Sequence, residues 1–569
     1  MLCGNSKGQG RGVGEGGYTS TDEPAKGGEH GSKRVSLLDS NAIIAHGAYG
    51  VLQDAGAIRG QKNEDVWATF LRGHALPKPK VPMVYRKFIA DLQASGVNVL
   101  QDGAKLHVLA MNDQDVDSLA EDRELQNAET VDLMRGLKPI KGGLFDDHLT
   151  GGNQGNRWAK ITLPTPLPNP VMEEPIRRVL GLTEKNFREV LAGRQPLGNR
   201  TGPEAVNEAL KRIDVDKEIA RARQEAASRR GASRDQANRR LAYLKAAKLH
   251  DRHPSEWMVT KVPVLPPVFR PVNVMAETGT PLVADANYLY RELMDAKKAY
   301  QDVDKLTGDA GDERLALYDA YKAVTGLADP THPKLKEKGV QGILKGVFGS
   351  SPKYGTVQRR LIGSTVDAVG RGVVAPNPDL DMDQVALPED RAWDVYKNFV
   401  LRRLRQRGMP MDRSIKAVEE RTPEAREALL NVMNDRPVLI NRAPVLHRLG
   451  ILAFRPKLTK NKVLEVSPLI VSGFTMDFDG DAVQYHVPVS DEAVQQAMER
   501  MLPSKNLLHS RDLKSPAHMP GKEYAGGLFL ATRRKNAGRP KVYRTKRDVI
   551  QAYWRGELNG DDPVAHLEG

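Results

Sequence analysis

The spacing of apolar residues changes several times along the chain. Residues 37–52 repeat apolar positions with a helical period, and a proline-rich stretch, ALPKPKVP, separates them from a short amphipathic helix at 88–96. Residues 183–250 are helical and strongly charged, and we interpret them as a solvated helical insertion. From residue 436 onward, short runs such as RPVLIN, ILAFRPKL and AVQYHVPVS predict a small β domain with the strand density of a barrel.

A pair of helices is predicted within residues 286–327, around the turn TGDAGD. Leu289, Leu293, Ala296 and Tyr300 step by four and three residues, which is the spacing of a coiled-coil seam. Two such helices joined by a short glycine turn form an antiparallel hairpin. The pattern leaves open whether this hairpin packs into a core or projects as an arm.

Composition and charge narrow the class of protein. A chain of 569 residues has room for three or four domains, and its net charge of +13 suits a surface around a polyanion, although basic enzymes share it. Cys3 is the single cysteine, so neither an internal disulfide nor a thiolate zinc site is expected. No run of 18 apolar residues indicates a membrane span. The first 34 residues are rich in glycine and predict a flexible arm or an extended surface segment.

The stretch TMDFDGDAVQYHVP places Asp477, Asp479 and Asp481 at every second position between apolar runs. Those apolar flanks argue against a solvated loop. An EF-hand fails as well, because Gly480 falls at loop position four and Pro488 at position twelve. Carboxylate oxygens are the ligands that Mg²⁺ shares with substrate phosphates, so the remaining interpretation is a magnesium site for phosphoryl transfer.

Two motifs in order carry a family resemblance. RPVLINRAPVLHRLGILAFRPKL, followed by SPLIVSGFTMDFDGDAVQYHVPVS, resembles the active-site half of the largest subunit, β′ in bacteria, of multisubunit DNA-directed RNA polymerases. The family's NADFDGD loop lies in a double-psi β-barrel and stands here as TMDFDGD. LIGSTVDAVGRGVV resembles the switch region, VPVLPPVFRPV the lid, and LKPIKGGLFD with RWAKITLPTPLPNP the start of β′. YAGGLFLATRR and VIQAYWRGEL are similar to the segment beyond the barrel.

The upstream part resembles a different subunit. IIAHGAYGVLQDA and the phrase RGHALPKPKVPMVYRKFIADLQASGVNV are similar to the C-terminal end of β. The resemblance therefore implies a multidomain α+β chain in which the end of β is fused to the N-terminal part of β′. The implied ranges are 1–103 for the β-like segment, 104–260 for a clamp-like region with the insertion 183–250, 261–350 for lid and clamp helices, 351–435 for the switch region and a helical approach, 436–500 for the double-psi barrel, and 501–569 for a post-barrel segment.

The resemblance also assigns roles at the active site. Asp477, Asp479 and Asp481 would hold the catalytic Mg²⁺, and a second Mg²⁺ would arrive with the nucleotide. Arg442 would approach the ribose hydroxyls, and Pro444 would wall the sugar site. Further expected contacts are Thr475, which replaces the family asparagine near the 2′-hydroxyl, and three arginines toward nucleic acid, Arg371, Arg359 and Arg360.

The differences from the family's pattern imply in which kind of organism the chain works. One cysteine forbids the four-cysteine zinc ribbon of cellular β′, and the bridge helix and trigger loop are expected beyond residue 569. Splitting and zinc loss of this kind resemble the polymerases of large tailed bacteriophages, which work in the infected host's cytoplasm or are packaged in the virion. Expected partners are the rest of β and β′, DNA template, RNA product and nucleoside triphosphates, with a promoter-specificity subunit left open. The alternative is a non-catalytic nucleic-acid-binding scaffold.

Overall fold

The computed structural model describes residues 8–566 except 104, 128–138, 276–277, 350, 352, 510–511, 522, 533–539 and 561. Cys3 and parts of the motifs LKPIKGGLFD and YAGGLFLATRR lie outside the described residues. The chain divides into two compact units, one formed by Met1–Met83 with Arg360–Gly569 and the other by Val84–Arg359. Among the described helices, none is both long and apolar enough to cross a membrane.

The strands are, in chain order, β1 Gln9–Arg11, β2 Lys33–Val35, β3 Val97–Asp102, β4 Lys105–Ala110, β5 Ala159–Pro168, β6 Met258–Val264, β7 Val272–Val274, β8 Pro281–Val283, β9 Ser364–Val366, β10 Val369–Pro376, β11 Gln384–Pro388, β12 Val438–Asn441, β13 Ile451–Thr459, β14 Leu464–Val466, β15 Ala482–His486, β16 Lys541–Tyr543 and β17 Val564–His566.

The helices are, in chain order, α1 Leu37–Ala45, α2 Tyr49–Gln53, α3 Glu64–Leu71, α4 Met83–Ala94, α5 Asp113–Ala120, α6 Glu173–Leu180, α7 Glu184–Leu191, α8 Gly202–Lys211, α9 Val215–Ser228, α10 Gly231–Leu249, α11 Asp285–Thr307, α12 Gly311–Thr325, α13 Pro333–Glu337, α14 Ile343–Phe348, α15 Glu389–Gln406, α16 Met411–Glu419, α17 Pro423–Asp435, α18 Val471–Phe474, α19 Asp491–Arg500, α20 Glu523–Thr532 and α21 Lys546–Trp554.

A closed six-stranded barrel is the centre of the first unit. Its strands follow the order β10-β14-β11-β13-β12-β15, and β15 pairs back onto β10. Every residue of β12 and β14 is buried, including the polar Asn441 and Glu465. Both polar side chains are hydrogen-bonded, Asn441 to Asp39 and Glu465 to Asn377. The closure is tight, because a Cβ at residue 370 would lie 2.0 Å from the Tyr485 ring and only glycine fits there. The mixed α+β class is confirmed, and the barrel is consistent with the double-psi type.

The barrel extends beyond the range 436–500 expected from the sequence. β10 and β11 supply two of its six strands from residues that were assigned to the switch region and a helical approach. β11 pairs parallel with β13, from Gln384 opposite Arg455 to Pro388 opposite Thr459. Helix α15 follows β11 and buries Trp393, Tyr396 and Phe399 in the core that also contains barrel residues.

Of the two alternatives for the glycine-rich N-terminus, a flexible arm or an extended surface segment, residues 8–35 follow the second, with a short strand near each end. β1 pairs antiparallel with β10, and β2 pairs antiparallel with β9. The Arg11 side chain is fully buried and forms an ion pair of 2.6 Å with Asp367. The glycines serve turns in this packed segment, and a Cβ at Gly16 (φ 68°) would lie 2.6 Å from the His30 carbonyl oxygen.

The second unit contains the predicted helical regions. α11 and α12 form the expected pair around residues 308–310, and their inner faces bury Leu289, Leu293, Tyr300 and Leu317. Leu306, near the tip of the pair, is 84 % exposed, so the base packs in a core while the tip meets solvent. Residues 183–250 are less solvated than the sequence suggested, since α7 and α8 bury apolar side chains, including Phe187, Val190, Val206 and Leu210.

Candidate active site

The aspartate loop leaves the barrel core between α18 and β15. Helix α18 ends at Thr475, whose backbone is left-handed with φ 50° and ψ 40°. Phe474 and Met476 on either side are buried and fix the start of the loop in the core. At the other end, Gly480 has φ 121°, a conformation that side-chain-bearing residues rarely adopt. The loop therefore starts from buried residues and turns at Gly480, while residues 479–480 are exposed.

The three aspartates differ in their surroundings. Asp479 is exposed, whereas Asp477 and Asp481 are half-buried. Asp481 Oδ2 accepts a hydrogen bond of 2.9 Å from the backbone N–H of Asp477, and Asp477 Oδ1 accepts one of 2.8 Å from the N–H of Phe478. Within the described part of the chain no three histidine, cysteine, aspartate or glutamate side chains are arranged to hold a metal ion. The donor set has the hard oxygens that Mg²⁺ prefers, but the carboxylates would have to turn toward it.

Arg442 connects the two sequence motifs in space. Its Nε donates a hydrogen bond of 2.8 Å to Asp481 Oδ2 across 39 residues of sequence, and Nη2 donates one of 3.4 Å to Oδ1. Partial burial raises the pKa of Asp481, but the bonds from Arg442 and from the Asp477 N–H outweigh it and hold the pKa below its usual value. Pairing of β12 with β15 produces this meeting, since Arg442 follows Asn441, which pairs with Gln484.

Pro444 and Thr475 are both exposed. Pro444 follows a cis peptide bond with Ala443, two residues after Arg442. Neither position has a contact that tests its expected role, so a sugar wall at Pro444 and a 2′-hydroxyl contact at Thr475 remain predictions.

The three predicted nucleic-acid arginines lie in different settings. Arg371 is exposed on β10. Arg360 is exposed but lies 3.6 Å from Glu23, so part of its charge is already compensated. Arg359 is exposed and belongs to the unit of residues Val84–Arg359.

Lys33 is a neighbour of Arg371 that sequence reasoning missed. Its pKa is lowered by burial and then by the charges of Arg371 and Arg11. The pair Lys33 and Arg34 in GSKRV was visible in the sequence, but nothing there indicated that β2 brings Lys33 toward β10.

A segment after the barrel supports α18 from behind. Ser472 Oγ donates a hydrogen bond of 3.1 Å to the carbonyl oxygen of Ala517. A Cβ at Gly473 would lie 3.1 Å from the His518 ring, so glycine permits this close packing. These contacts position the helix from which the aspartate loop departs. No sequence pattern indicated them.

A closed barrel that presents an acidic loop, with an arginine from a neighbouring strand end beside it, defines a candidate catalytic subunit of a nucleic-acid polymerase. Residues 401–502 match the family model of RNA polymerase Rpb1, domain 2. The DNA-directed RNA polymerase subunit beta′ of Exiguobacterium sibiricum is 34% identical over 403 residues, covering 68% of this chain and 32% of that protein. The beta′ subunit of Bacillus mycoides is 33% identical over 412 residues, covering 69% and 33%. The chain belongs to the multisubunit DNA-directed RNA polymerase family, and it spans about a third of the length of the curated relatives it matches.

Proposed function

We propose that this chain is the catalytic-subunit region of a phage-type multisubunit DNA-directed RNA polymerase that makes RNA on a DNA template by Mg²⁺-dependent nucleotidyl transfer. The observation that carries the proposal is the ion pair between Arg442 and Asp481, which unites the NRAP and DFDGD motifs at one edge of the barrel. The similarity to beta′ subunits supports the reaction class.

We assign a separate role to each side chain of the candidate site. Asp477, Asp479 and Asp481 are the residues that would hold Mg²⁺, and the ion would supply Lewis-acid activation of a 3′-hydroxyl. Arg442 presents five N–H donors in a planar fork, so groups not bonded to Asp481 are free to donate to ribose hydroxyls. Pro444 limits the space beside the sugar, and the Thr475 hydroxyl offers one rotating donor and acceptor. Arg371, Arg359 and Arg360 contact template phosphates, where charge positions the strand without reading its sequence.

The setting we propose is a split enzyme of a large bacteriophage, active in the cytoplasm of the infected host or packaged in the virion. Its partners supply the rest of β and of β′, including the bridge helix and trigger loop, and a promoter-specificity subunit completes initiation. We further propose that residues 1–103 are the β-like segment and that residues 286–327 are the clamp helices. The metal that the chain binds is Mg²⁺, and it contains no structural zinc.

The decisive experiment replaces the exposed member of the aspartate set. Asp479→Ala should lower RNA extension on a preformed RNA–DNA scaffold by more than a hundredfold, because the three carboxylates hold the ion as a set. The complex assembled with its partner subunits is the enzyme to assay. Asp379→Ala is the matched control, since Asp379 is also exposed and lies between two strands of the same barrel.

The same assay separates the proposal from a non-catalytic scaffold. Asp479→Ala must leave assembly unchanged, which gel filtration of the complex measures. If the variant extends RNA within tenfold of the unaltered complex, the catalytic assignment of the loop is wrong and the scaffold interpretation replaces it.

A further inference from the structure

One helical hairpin of the second unit, α9 with α10, is strongly basic. Residues 229–249 contain seven basic residues and one acidic residue, so these 21 residues carry nearly half of the net charge of +13. Both helices lie wholly within the described residues, and α10 spans Gly231–Leu249. The basic residues in this range are Arg229, Arg230, Arg234, Arg239, Arg240, Lys245 and Lys248.

Some arginines of the hairpin are neutralised within the protein. Arg240 contacts Glu225 at 2.7 Å, Arg221 contacts the same carboxylate at 3.3 Å, and Arg239 lies 3.5 Å from Glu174. Arg240 connects α10 to α9 and Arg239 connects α10 to α6, whereas Arg221 pairs within α9. Each of these arginines has a carboxylate partner inside the protein.

A second group is exposed and uncompensated. Arg230, Arg234 and Lys245 are exposed. None of the three has a salt bridge or side-chain hydrogen bond to another residue in the described part of the chain. Arg234 and Lys245 are eleven residues apart, close to three full turns, so they share one face of α10. From Arg230, the residue that precedes the helix, to Lys245 the row is about 22 Å long at 1.5 Å per residue.

We propose that this row on α10, Arg230, Arg234 and Lys245, binds the phosphate backbone of duplex DNA without reading its sequence. Duplex DNA carries about one charge per 1.7 Å of axis, so a row of this length faces many phosphates. Single strands are usually held by stacking on exposed aromatic rings. The single aromatic residue of the hairpin, Tyr243, is half-buried and lines a partly open pocket of about 330 Å³. The inference rests on the proposed function, because template-directed RNA synthesis brings duplex DNA to this chain.

The test compares two triple variants that remove the same charge. One is Arg230→Gln with Arg234→Gln and Lys245→Gln, and the matched control is Arg221→Gln with Arg239→Gln and Arg240→Gln. Fluorescence anisotropy with a labelled 30-base-pair duplex of mixed sequence measures the affinity of the assembled complex between 0.05 and 0.3 M KCl. Each lost phosphate contact lowers the salt slope by about 0.9, so we expect a loss of roughly ten- to a hundredfold at 0.15 M for the first triple.

The control triple should lose less than threefold in affinity. An unaltered salt slope in the first triple would overturn the inference, and so would an equal loss in both triples, because the effect would then be one of net charge. A labelled single strand is titrated in parallel, and a loss confined to that probe would also overturn it. Thermal unfolding of both variants confirms that each remains folded.

This experiment separates the hairpin from the active site. If the complex fails to extend RNA but the first triple still weakens duplex binding, the hairpin inference stands and the proposed catalytic function falls. If RNA is extended while the first triple binds duplex like the unaltered complex, the hairpin inference alone falls.

Discussion

At the scale of single residues, Thr475 has a backbone conformation that its side chain disfavours. It lies in the left-handed region with φ 50° at the end of α18. Left-handed backbone costs a residue with a Cβ about 1–2 kcal/mol, and a β-branched side chain suffers most, whereas asparagine tolerates it. The asparagine of the resembled family would therefore suit this position by conformation as well as by hydrogen bonding.

We expect Thr475→Asn to change both stability and sugar selection. The free energy of unfolding should rise by about 1 kcal/mol, because the left-handed backbone is relieved. The ratio of ribonucleotide to deoxynucleotide incorporation should rise about three- to tenfold, which corresponds to one neutral hydrogen bond of roughly 0.5–1.5 kcal/mol. Competition between matched nucleotides on a scaffold measures the ratio. Thr475→Gly is the control that relieves the backbone without an amide, and an equal gain in selectivity there would contradict the sugar contact.

His486 makes the barrel sensitive to acid. Its ring is fully buried on β15, its Nε2 lies 3.2 Å from Asn441 Oδ1, and burial followed by the charge of Arg59 lowers its pKa from 6.5 to about 3. The unfolded chain binds a proton near pH 6.5 and the folded chain does not. The contribution of this residue to stability is thus complete above pH 6.5 and is lost as pH falls toward 3.

We expect His486→Gln to flatten that acid dependence. Glutamine can donate to Asn441 Oδ1 and carries no titrating group, so unfolding by urea should vary less between pH 6.5 and pH 4 than in the unaltered protein. At pH 8 the variant should be the less stable of the two, because the ring packing is lost. Parallel slopes of stability against pH in the two proteins would show that His486 is not the group responsible.

At the scale of elements, the buried pair of Arg11 and Asp367 fixes β1 to the barrel. Asp367 accepts hydrogen bonds from Arg11 at 2.6 Å and from the Tyr18 hydroxyl at 2.6 Å. Arg11 also donates to the carbonyl oxygens of Gly17 and His30, so the guanidinium organises the whole N-terminal segment. Burial raises the pKa of Asp367, and Arg11 and Tyr18 offset only part of that rise.

Removing the Arg11 side chain should weaken the packing of the N-terminal segment against the barrel. We expect Arg11→Ala to lower the free energy of unfolding by about 3–5 kcal/mol, since it leaves a buried carboxylate without its counter-charge. Urea unfolding measures the change. Arg371→Ala, on the exposed face of the paired strand, is the control and should cost less than about 1 kcal/mol. A loss below 1 kcal/mol in Arg11→Ala would mean that β1 contributes little to the barrel.

The sequence identified the two motifs of the candidate site, whereas several elements around them were not predicted. The motifs around Arg442 and Asp481 have fixed local patterns, and the structure brings these two side chains to 2.8 Å. β10 and β11 were missed because their barrel partners lie far along the chain, and an apolar run of five residues also suits a helix entry. Arg11 was missed because its partner Asp367 is 356 residues away, and no local rule connects them.

At the scale of the whole molecule, the chain presents apolar surface after the barrel. On α20, Leu528, Phe529 and Leu530 are 57, 66 and 61 % exposed, and on α21 Trp554 is 80 % exposed. Because these three residues are consecutive, their side chains point to different sides of α20, and exposed apolar surface is not confined to one face of the helix. Surfaces of this kind on soluble proteins usually belong to an interface.

The isolated chain should therefore be poorly soluble and unable to extend RNA, and co-expression with its partner subunits should restore both properties. Leu528→Glu combined with Leu530→Glu should raise the soluble fraction of the isolated chain and lower its recovery in the complex. Sedimentation and affinity purification measure the two quantities. An isolated 569-residue chain that extends RNA by itself would contradict the split-subunit proposal.

The order of strands in the barrel also bears on synthesis at the ribosome. β1 pairs with β10, and β10 pairs with β15, whose last residue is His486. At about 5–20 residues per second, roughly 18 to 75 s pass between the appearance of β1 and that of its partner β10. Val84–Arg359 is a continuous unit whose residues emerge within that interval, so it can fold first. The nascent N-terminal segment must meanwhile stay unpaired, and its many glycines and few apolar residues keep it from aggregating while it waits.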